Sequence, residues 1–195
     1  MTKFLYTDDQ VLVRDCLLHD SHAQRTLYER YSPKMLGVCF RYVNDRQDAE
    51  DVLQEGFIKV FQHLSAFRHE GSLEGWIRRI MVTTALNFLK KHHHLVLRLD
   101  ESLESGIQDP EQADQGLMLK DTLQTLRRLA PGYRTIVNLY AIEGYSHKEI
   151  AEMLGITEST SRSQYARARQ WLRARLQPLP VPMTKQCMHD SGSEP

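Results

Sequence analysis

The sequence predicts an all-α protein of two small helical domains joined by a flexible acidic linker, and three observations carry that prediction. Apolar residues recur at three- and four-residue steps along most of the chain, the spacing of helix faces. Leucine is plentiful and Gly-Pro turns are scarce. From Leu99 to Leu119 there are six acids and no base, with Ser-Gly and Asp-Pro breaks and no periodicity, so that stretch divides the chain. The resulting boundaries are a first domain over 1–97, a linker over 98–117, a second domain over 118–177 and a tail over 178–195. The proline-rich run after Gln177 and the polar end predict an extended or disordered tail.

Composition narrows the class. A chain of 195 residues allows one or two domains, and a hydrophobic content of 41% suffices for small cores. The 25 basic residues balance the 25 acidic ones, so only their segregation is informative, and segregation points to more than one kind of partner. Cys16, Cys39 and Cys187 are odd in number and lack C-x-x-C spacing, which argues against a disulfide framework or zinc site and for a reducing compartment. No apolar run reaches bilayer length, and acids stand near the amino terminus where a signal peptide would carry its apolar core. The expectation is a cytoplasmic protein with no membrane insertion of its own.

Taken in order, Thr7 with Gln10 forms a capping box opening a helix to about Leu18. Asp20 or Ser21 starts the next, which Ser32-Pro33 is expected to interrupt or kink before Met35, Val38, Cys39 and Tyr42 resume an apolar stripe. Asn44-Asp45 makes a turn. From Arg46 to Phe67 a buried face is marked by Ala49, Val52, Leu53, Phe57, Val60, Phe61 and Leu64. Asp48, Asp51 and Glu55 recur on another face with Gln54 and Lys59 beside them, which composition alone reads as a solvent face. After the turn His69–Ser72, Ser72 caps a helix to about Lys91 with Leu73, Ile77, Ile80, Met81, Thr84 and Phe88 inward. Trp76, Arg79, Thr83, Asn87 and Lys90 share a neighbouring stripe. That mixture suits stacking on splayed bases and holding phosphates, and equally suits a partly buried Trp beside surface cations. His92-His93-His94 point in different directions on a helix and make a polar C-cap rather than a metal site.

Beyond the linker, Leu119, Leu123, Leu126 and Leu129 mark one helix. Pro131 begins another, whose Ile136, Val137, Tyr140 and Ile142 are expected to face the last two helices of the domain, and Gly144 closes it. Ser146 and Glu149 form a capping box, Ile150, Met153 and Leu154 an apolar face, and Gly155 a left-handed stop. Thr157 then caps a helix carrying Arg162, Arg167, Arg169, Arg173 and Arg175, with no acid from Arg162 to Arg175. This is the pattern of a helix-turn-helix with a basic second helix, the geometry that lays a recognition helix in the major groove.

Two helical domains, an acidic linker and a terminal helix-turn-helix resemble a bacterial RNA polymerase sigma factor of the extracytoplasmic-function (ECF) class within the sigma-70 family, over about Arg25 to Leu176. Asp48-Ala-Glu-Asp-Val-Leu-Gln-Glu-Gly56 resembles the family's polymerase-binding segment. Gly75-Trp-Ile-Arg-Arg-Ile-Met-Val-Thr-Thr-Ala85 resembles the segment that opens the −10 element. Leu129-Ala-Pro-Gly-Tyr-Arg134 and, nine residues on, Glu143-Gly-Tyr-Ser-His-Lys-Glu-Ile-Ala151 resemble the −35-binding region. The resemblance implies that Asp48, Asp51, Gln54 and Glu55 dock on the clamp helices of the largest polymerase subunit, and that the second domain meets the flap region. It implies that Arg68, Trp76, Arg79, Asn87 and Lys90 contact melted −10 DNA, with the turn from Arg68 to Ser72 walling a flipped base. Lys148, Thr160, Arg162, Ser163, Gln164 and Arg167 become the −35 contacts, and the linker threads the RNA exit path. Ser161 stands where the family usually buries an aliphatic residue, so a less firmly seated recognition helix is expected; Thr83 stands where Asn is frequent.

The function implied is to bind core polymerase, direct it to promoters and assist opening, with promoter DNA as partner and an anti-sigma factor as a further partner class. No nucleophile–base pair, phosphate loop or metal cluster is present in the pattern, so neither enzyme activity nor a cofactor is expected. The alternatives are a helix-turn-helix regulator that does not substitute for sigma, and an adaptor that grips other proteins.

Overall fold

A computed structural model describes residues 8–92 and 118–176, and within them every regular element is helical. The expectations for Thr7, for His93 and His94, for the linker and for the tail lie outside the described residues, as do the side chains of Leu119 and Leu123.

The first unit comprises α1 (Asp9–Leu17), α2 (Ser21–Val43), α3 (Arg46–His63) and α4 (Leu73–His92). Each start follows from side-chain chemistry. The carboxylates of Asp8, Asp20 and Asp45 accept from the backbone N–H of Gln10, Ala23 and Asp48, and the Ser72 hydroxyl accepts from Gly75. Each such cap satisfies a donor that the helix leaves orphaned and contributes about 1 kcal/mol. Asn44 takes the left-handed conformation, φ 62°, that lets α2 stop and α3 start within two residues. One expectation is corrected in part: Pro33 does not interrupt the chain's helix, and α2 runs unbroken through it. Leu27 and Tyr31 before the proline and Met35 and Val38 after it are all buried, so packing on both sides holds one helix where local preference favours an interruption.

Helices α2, α3 and α4 pack in all three pairings, with α1 across α2. The core holds the α3 stripe in nearly the expected form, Ala49, Val52, Leu53, Phe57, Val60 and Leu64, with Phe61 at its edge. From α4 it takes Leu73, Ile77, Met81, Thr84, Ala85 and Leu89, while Ile80 and Phe88 are only partly covered. Helices α3 and α4 meet at Gly56, where a Cβ would lie 2.3 Å from the Met81 sulfur and 3.0 Å from its methyl. Gly56→Ala gains about 1 kcal/mol of helix propensity but overpacks a fully buried Met81, a cost of about 1–3 kcal/mol. We expect a net loss of about 1 kcal/mol in urea unfolding; a raised midpoint would show that Met81 moves aside freely.

The second unit contains α5 (Met118–Arg127), α6 (Pro131–Val137), α7 (His147–Leu154) and α8 (Glu158–Arg175). Proline opens α6, as its missing N–H allows. Beyond Val137 the chain widens into one π-helical turn, Asn138–Ile142, before Gly144 at φ 80°. That turn amends the expected set. A residue added per turn shifts the phase, so Leu139 and Asn138 are buried and Ile142 stays 39% exposed, while Tyr140, though 38% exposed, faces α7 and α8 as expected, against His147 and Tyr165.

The two units pack together along a polar seam. Glu143, its side chain only 4% exposed, accepts from Arg41 at 2.6 Å and faces Arg78 at 3.6 Å. Arg134 donates to the Tyr42 carbonyl, Asn138 to the Arg41 carbonyl and Lys90 to the Met153 carbonyl. Ile136, Leu139 and Ile150 extend the first unit's apolar core across the seam.

Candidate functional site

The helix-turn-helix is built as its caps dictate. The Ser146 hydroxyl accepts from Glu149 N–H, and the Glu149 carboxylate accepts from Ser146 N–H at 2.8 Å, closing the capping box. These bonds to the charged form hold the Glu149 carboxyl below its ordinary pKa. Gly155 ends α7 at φ 70°, and Thr157 caps α8 by accepting from Thr160 N–H. Helix α8 turns Ser161, Gln164, Ala168 and Trp171 inward, steps of three, four and three. Its opposite side presents Arg162, Ser163 and Arg167 to solvent, with Lys148 exposed on the first turn of α7.

One expected DNA contact is displaced. Gln164 is 3% exposed and lies on the inward stripe that ends at Trp171, so it points from α8 into the packing instead of projecting to solvent. Thr160 is partly buried, its hydroxyl 2.8 Å from that of Thr157 within the cap. Arg162 pairs with Glu158 one turn earlier, an exposed contact worth only about 0.3–0.5 kcal/mol, so releasing the guanidinium to another partner costs little.

Ser161 is wholly buried, and its hydroxyl lies 2.9 Å from His147 Nδ1. The His147 ring stacks on Tyr140 at 4.2 Å, and Tyr140 packs against Tyr165 at 4.5 Å. A polar tether and an aromatic trio thus join the π turn, α7 and α8 at the position where Ser161 led to an expectation of looser seating. Burial, and then the Arg162 charge, lower the His147 pKa below its ordinary value. A folded state that resists protonation loses stability as pH falls through the unfolded value of about 6.5. The melting midpoint of wild type should therefore fall from pH 7.5 to 5.5 more than that of His147→Gln; parallel falls would remove His147 as the cause.

On the first unit, Asp51 and Gln54 are exposed on α3, opposite the apolar stripe, and Asp48 is half-buried in its first turn. Glu55 accepts from Lys59 at 2.6 Å, and Lys59 also donates to Thr84 at 3.3 Å. Exposed Ile58 and Tyr28, the latter packed on Phe57 at 4.7 Å, add apolar area to this unit's surface. On α4, Arg79, Thr83, Asn87 and Lys90 are exposed, and Trp76 is half-buried with its ring 5.5 Å from Phe67. The turn before α4 exposes Arg68, and its His69 and Gly71 take positive φ of 59° and 100°. The stripe is not wholly free: Lys90 caps the carbonyl of Met153 in α7, and Arg79 lies close enough to Tyr145 and Glu149 to influence both.

Sequence reasoning did not anticipate the seam. Arg134 is 3% exposed and donates only to the carbonyls of Arg127, Leu129 and Tyr42; among the described residues it has no carboxylate partner. Burial, reinforced by Arg127, lowers its pKa to about 10. An arginine and a glutamate that bury themselves leave no periodic signal, since both types ordinarily mark solvent. Among the described residues no helix is long and apolar enough to cross a membrane.

Comparison with known proteins agrees with this architecture. Sigma-70 region 2 matches residues 27–94, and Sigma-70, region 4 matches residues 119–172. The RNA polymerase sigma-H factor of Pseudomonas aeruginosa is 34% identical over 187 residues, covering 88% of this chain and 95% of its own. The ECF RNA polymerase sigma-E factor of Haemophilus influenzae is 32% identical, covering 88% of this chain and 96% of its own. Among solved structures, the sigma factor RpoE of Bartonella quintana, in complex with the anti-sigma factor NepR, aligns with a TM-score of 0.50 at 22% identity. That alignment covers 78% of this chain and 95% of the other, and bears on the fold alone. With both conserved regions in order and relatives matched along nearly their whole length, the chain belongs to the ECF class of sigma-70 family sigma factors.

Proposed function

We propose that this chain binds core RNA polymerase, directs it to a two-part promoter and assists opening of the duplex. The observation that carries the reading is the joint presence, on one chain, of a capped helix-turn-helix with a basic outer face and a first unit offering an acidic α3 face and the mixed α4 stripe. Region 2 over 1–97 supplies docking and the −10 contacts; region 4 over 118–177 supplies the −35 contacts; 98–117 links them. Asp48, Asp51, Gln54 and Glu55 meet the clamp helices, and region 4 meets the flap. Arg68, Trp76, Arg79, Asn87 and Lys90 take the melted −10 strand. Lys148, Thr160, Arg162, Ser163 and Arg167 hold the −35 element, and Gln164 is left to packing. The protein carries out no covalent chemistry, acts in the cytoplasm, and has anti-sigma control as a partner class of its family. Purified core enzyme plus this chain should transcribe from a cognate promoter; a regulator that never replaces sigma would not support it, and an adaptor would shift neither promoter DNA nor core in a gel.

Within this reading Arg162 and Arg167 divide the work. Arg162→Ala should cost about 1–3 kcal/mol and blunt sequence preference, as loss of a base contact does. Arg167→Ala should weaken all sequences alike and flatten the salt dependence by about one phosphate's worth. Wild-type affinity and selectivity in both variants would refute the groove assignment.

A further inference from the structure

The seam between the two units borders a half-open cavity of about 350 Å³, walled by α2 on one side and by α5, α6 and the π turn on the other. Its lining joins three guanidiniums, Arg41, Arg127 and Arg134, to the ring of Phe40, and no acid is among its lining residues. Arg41 already has Glu143, but the other two bond only to neutral groups: Arg127 to Asn44, Arg134 to three carbonyls. The Nε donors of both Arg41 and Arg134 are buried without a partner, as is the Oδ1 acceptor of Asn138. Orphaned buried polar groups are uncommon, and here three of them belong to residues that line one space. The Arg127 guanidinium lies 4.8 Å over the Phe40 ring, so one aromatic face is covered by a cation and only the remaining ring surface is left to an apolar body. On α2, Gly37 contributes no side chain, and a Cβ there would meet nothing within 4 Å. A helix-interior glycine that no neighbour requires leaves the space open. The volume and the setting between domains are those of a small-molecule pocket, in which apolar walls hold a body and a few polar groups orient it.

We propose that this cavity binds a small organic anion, a carboxylate, sulfonate or phosphate carried on a flat apolar body, with the acid group toward Arg134 and Arg127 and the body against Phe40. Because its walls come from both units, such a ligand binds only the packed arrangement and holds it. In that arrangement Lys90 is tied to the Met153 carbonyl, so the ligand withholds part of the α4 stripe from DNA. This consequence rests on the promoter-opening role proposed above; binding itself does not.

The test uses the full chain and 1-anilinonaphthalene-8-sulfonate, with N-phenyl-1-naphthylamine as the same body lacking the acid. The sulfonate should bind one to one, at least tenfold more tightly than the neutral analogue. Gly37→Leu, which adds a side chain to the α2 wall of the cavity, and Arg127→Gln, which removes an exposed cation, should each weaken it at least tenfold with unchanged circular dichroism. Gly37→Ala, adding one methyl, should retain most of the affinity. Equal binding of the two probes, or full sulfonate affinity in Gly37→Leu, would overturn the site. Complete competition by inorganic phosphate at equal concentration would overturn the apolar part of the assignment. For the consequence, saturating sulfonate should lower promoter opening by wild type at least threefold and spare Gly37→Leu; equal inhibition of both would overturn the coupling, and since binding is read on the protein alone, that failure is distinct from failure of the sigma-factor reading.

Discussion

Reversing Asp51 and Glu55 together to lysine should reduce affinity for core polymerase about a hundredfold, near 2.7 kcal/mol, while leaving the helical content intact. Asp51 is exposed, so it has no packing role to lose. Glu55 is half-buried and bonds Lys59 at 2.6 Å, so the double reversal sets three cations, at 51, 55 and 59, one turn apart. Those two i,i+4 repulsions cost about 1 kcal/mol or less together, far below what six buried α3 residues, from Ala49 to Val60, contribute to the core. Glu55→Gln separates the two effects: it breaks the Lys59 pair without adding a cation, so it should lose binding by less than tenfold. The measurement is a titration of labelled core enzyme with each variant, beside a melting curve. Full transcription by the doubly reversed protein would sink the docking assignment.

How far the sequence foretold these surfaces depends on what each residue does locally. Caps were legible because they are short-range: Ser146 with Glu149, Thr157, Ser72 and the left-handed Gly155 all act within a turn of themselves. The apolar stripes of α3 and α4 were legible because a buried face repeats at the helical period. Helix α8 was harder. Its inward stripe carries Ser161 and Gln164, so apolar periodicity passes over it, and Gln164 was placed on the DNA side. Counting back from Trp171 in steps of three, four and three recovers the inward set, because Ala168 and Trp171 fix the phase. Two further departures share one cause, tertiary packing outweighing a local rule. Pro33 stays inside α2 because residues on both sides of it are buried, and the π turn buries Asn138 and leaves Ile142 exposed, while Tyr140 meets α7 and α8 as its spacing implies. The seam had no local signal, since Arg134, Glu143 and Arg41 find their partners through folding alone.

Trp76→Ala should impair opening of a closed promoter by about 1–3 kcal/mol, and its effect on a pre-melted template decides what the ring does. The side chain is half-buried, with one part of its ring against Phe67 at 5.5 Å and the rest open beside Arg79. That placement gives it two separable contributions. The buried part supports the fold, and its loss should cost about 2 kcal/mol, less than the roughly 3–5 of a fully enclosed tryptophan. The open part is a stacking platform with few cations on its stripe, Arg79 one turn on, Lys90 about four turns on and, in the preceding turn, Arg68. So little charge holds a duplex weakly, and the first unit should capture the −10 strand only once it is single. Trp76→Phe keeps the contact with Phe67 and most of the platform, so it should restore stability and at least half of the opening. If Trp76 helps part the strands, the alanine variant fails on closed templates and works on templates mismatched across the −10 element. If it stacks on a base already captured, both templates suffer alike. Should neither template respond while the melting midpoint falls, the ring serves the core alone and the α4 stripe must contact DNA through Arg79, Asn87 and Lys90 without it. Lys90 would first have to leave the Met153 carbonyl, and because the alanine variant of Lys90 loses both contacts at once, the sign of its effect shows which dominates: slower opening if the DNA contact does, faster opening if the seam contact does.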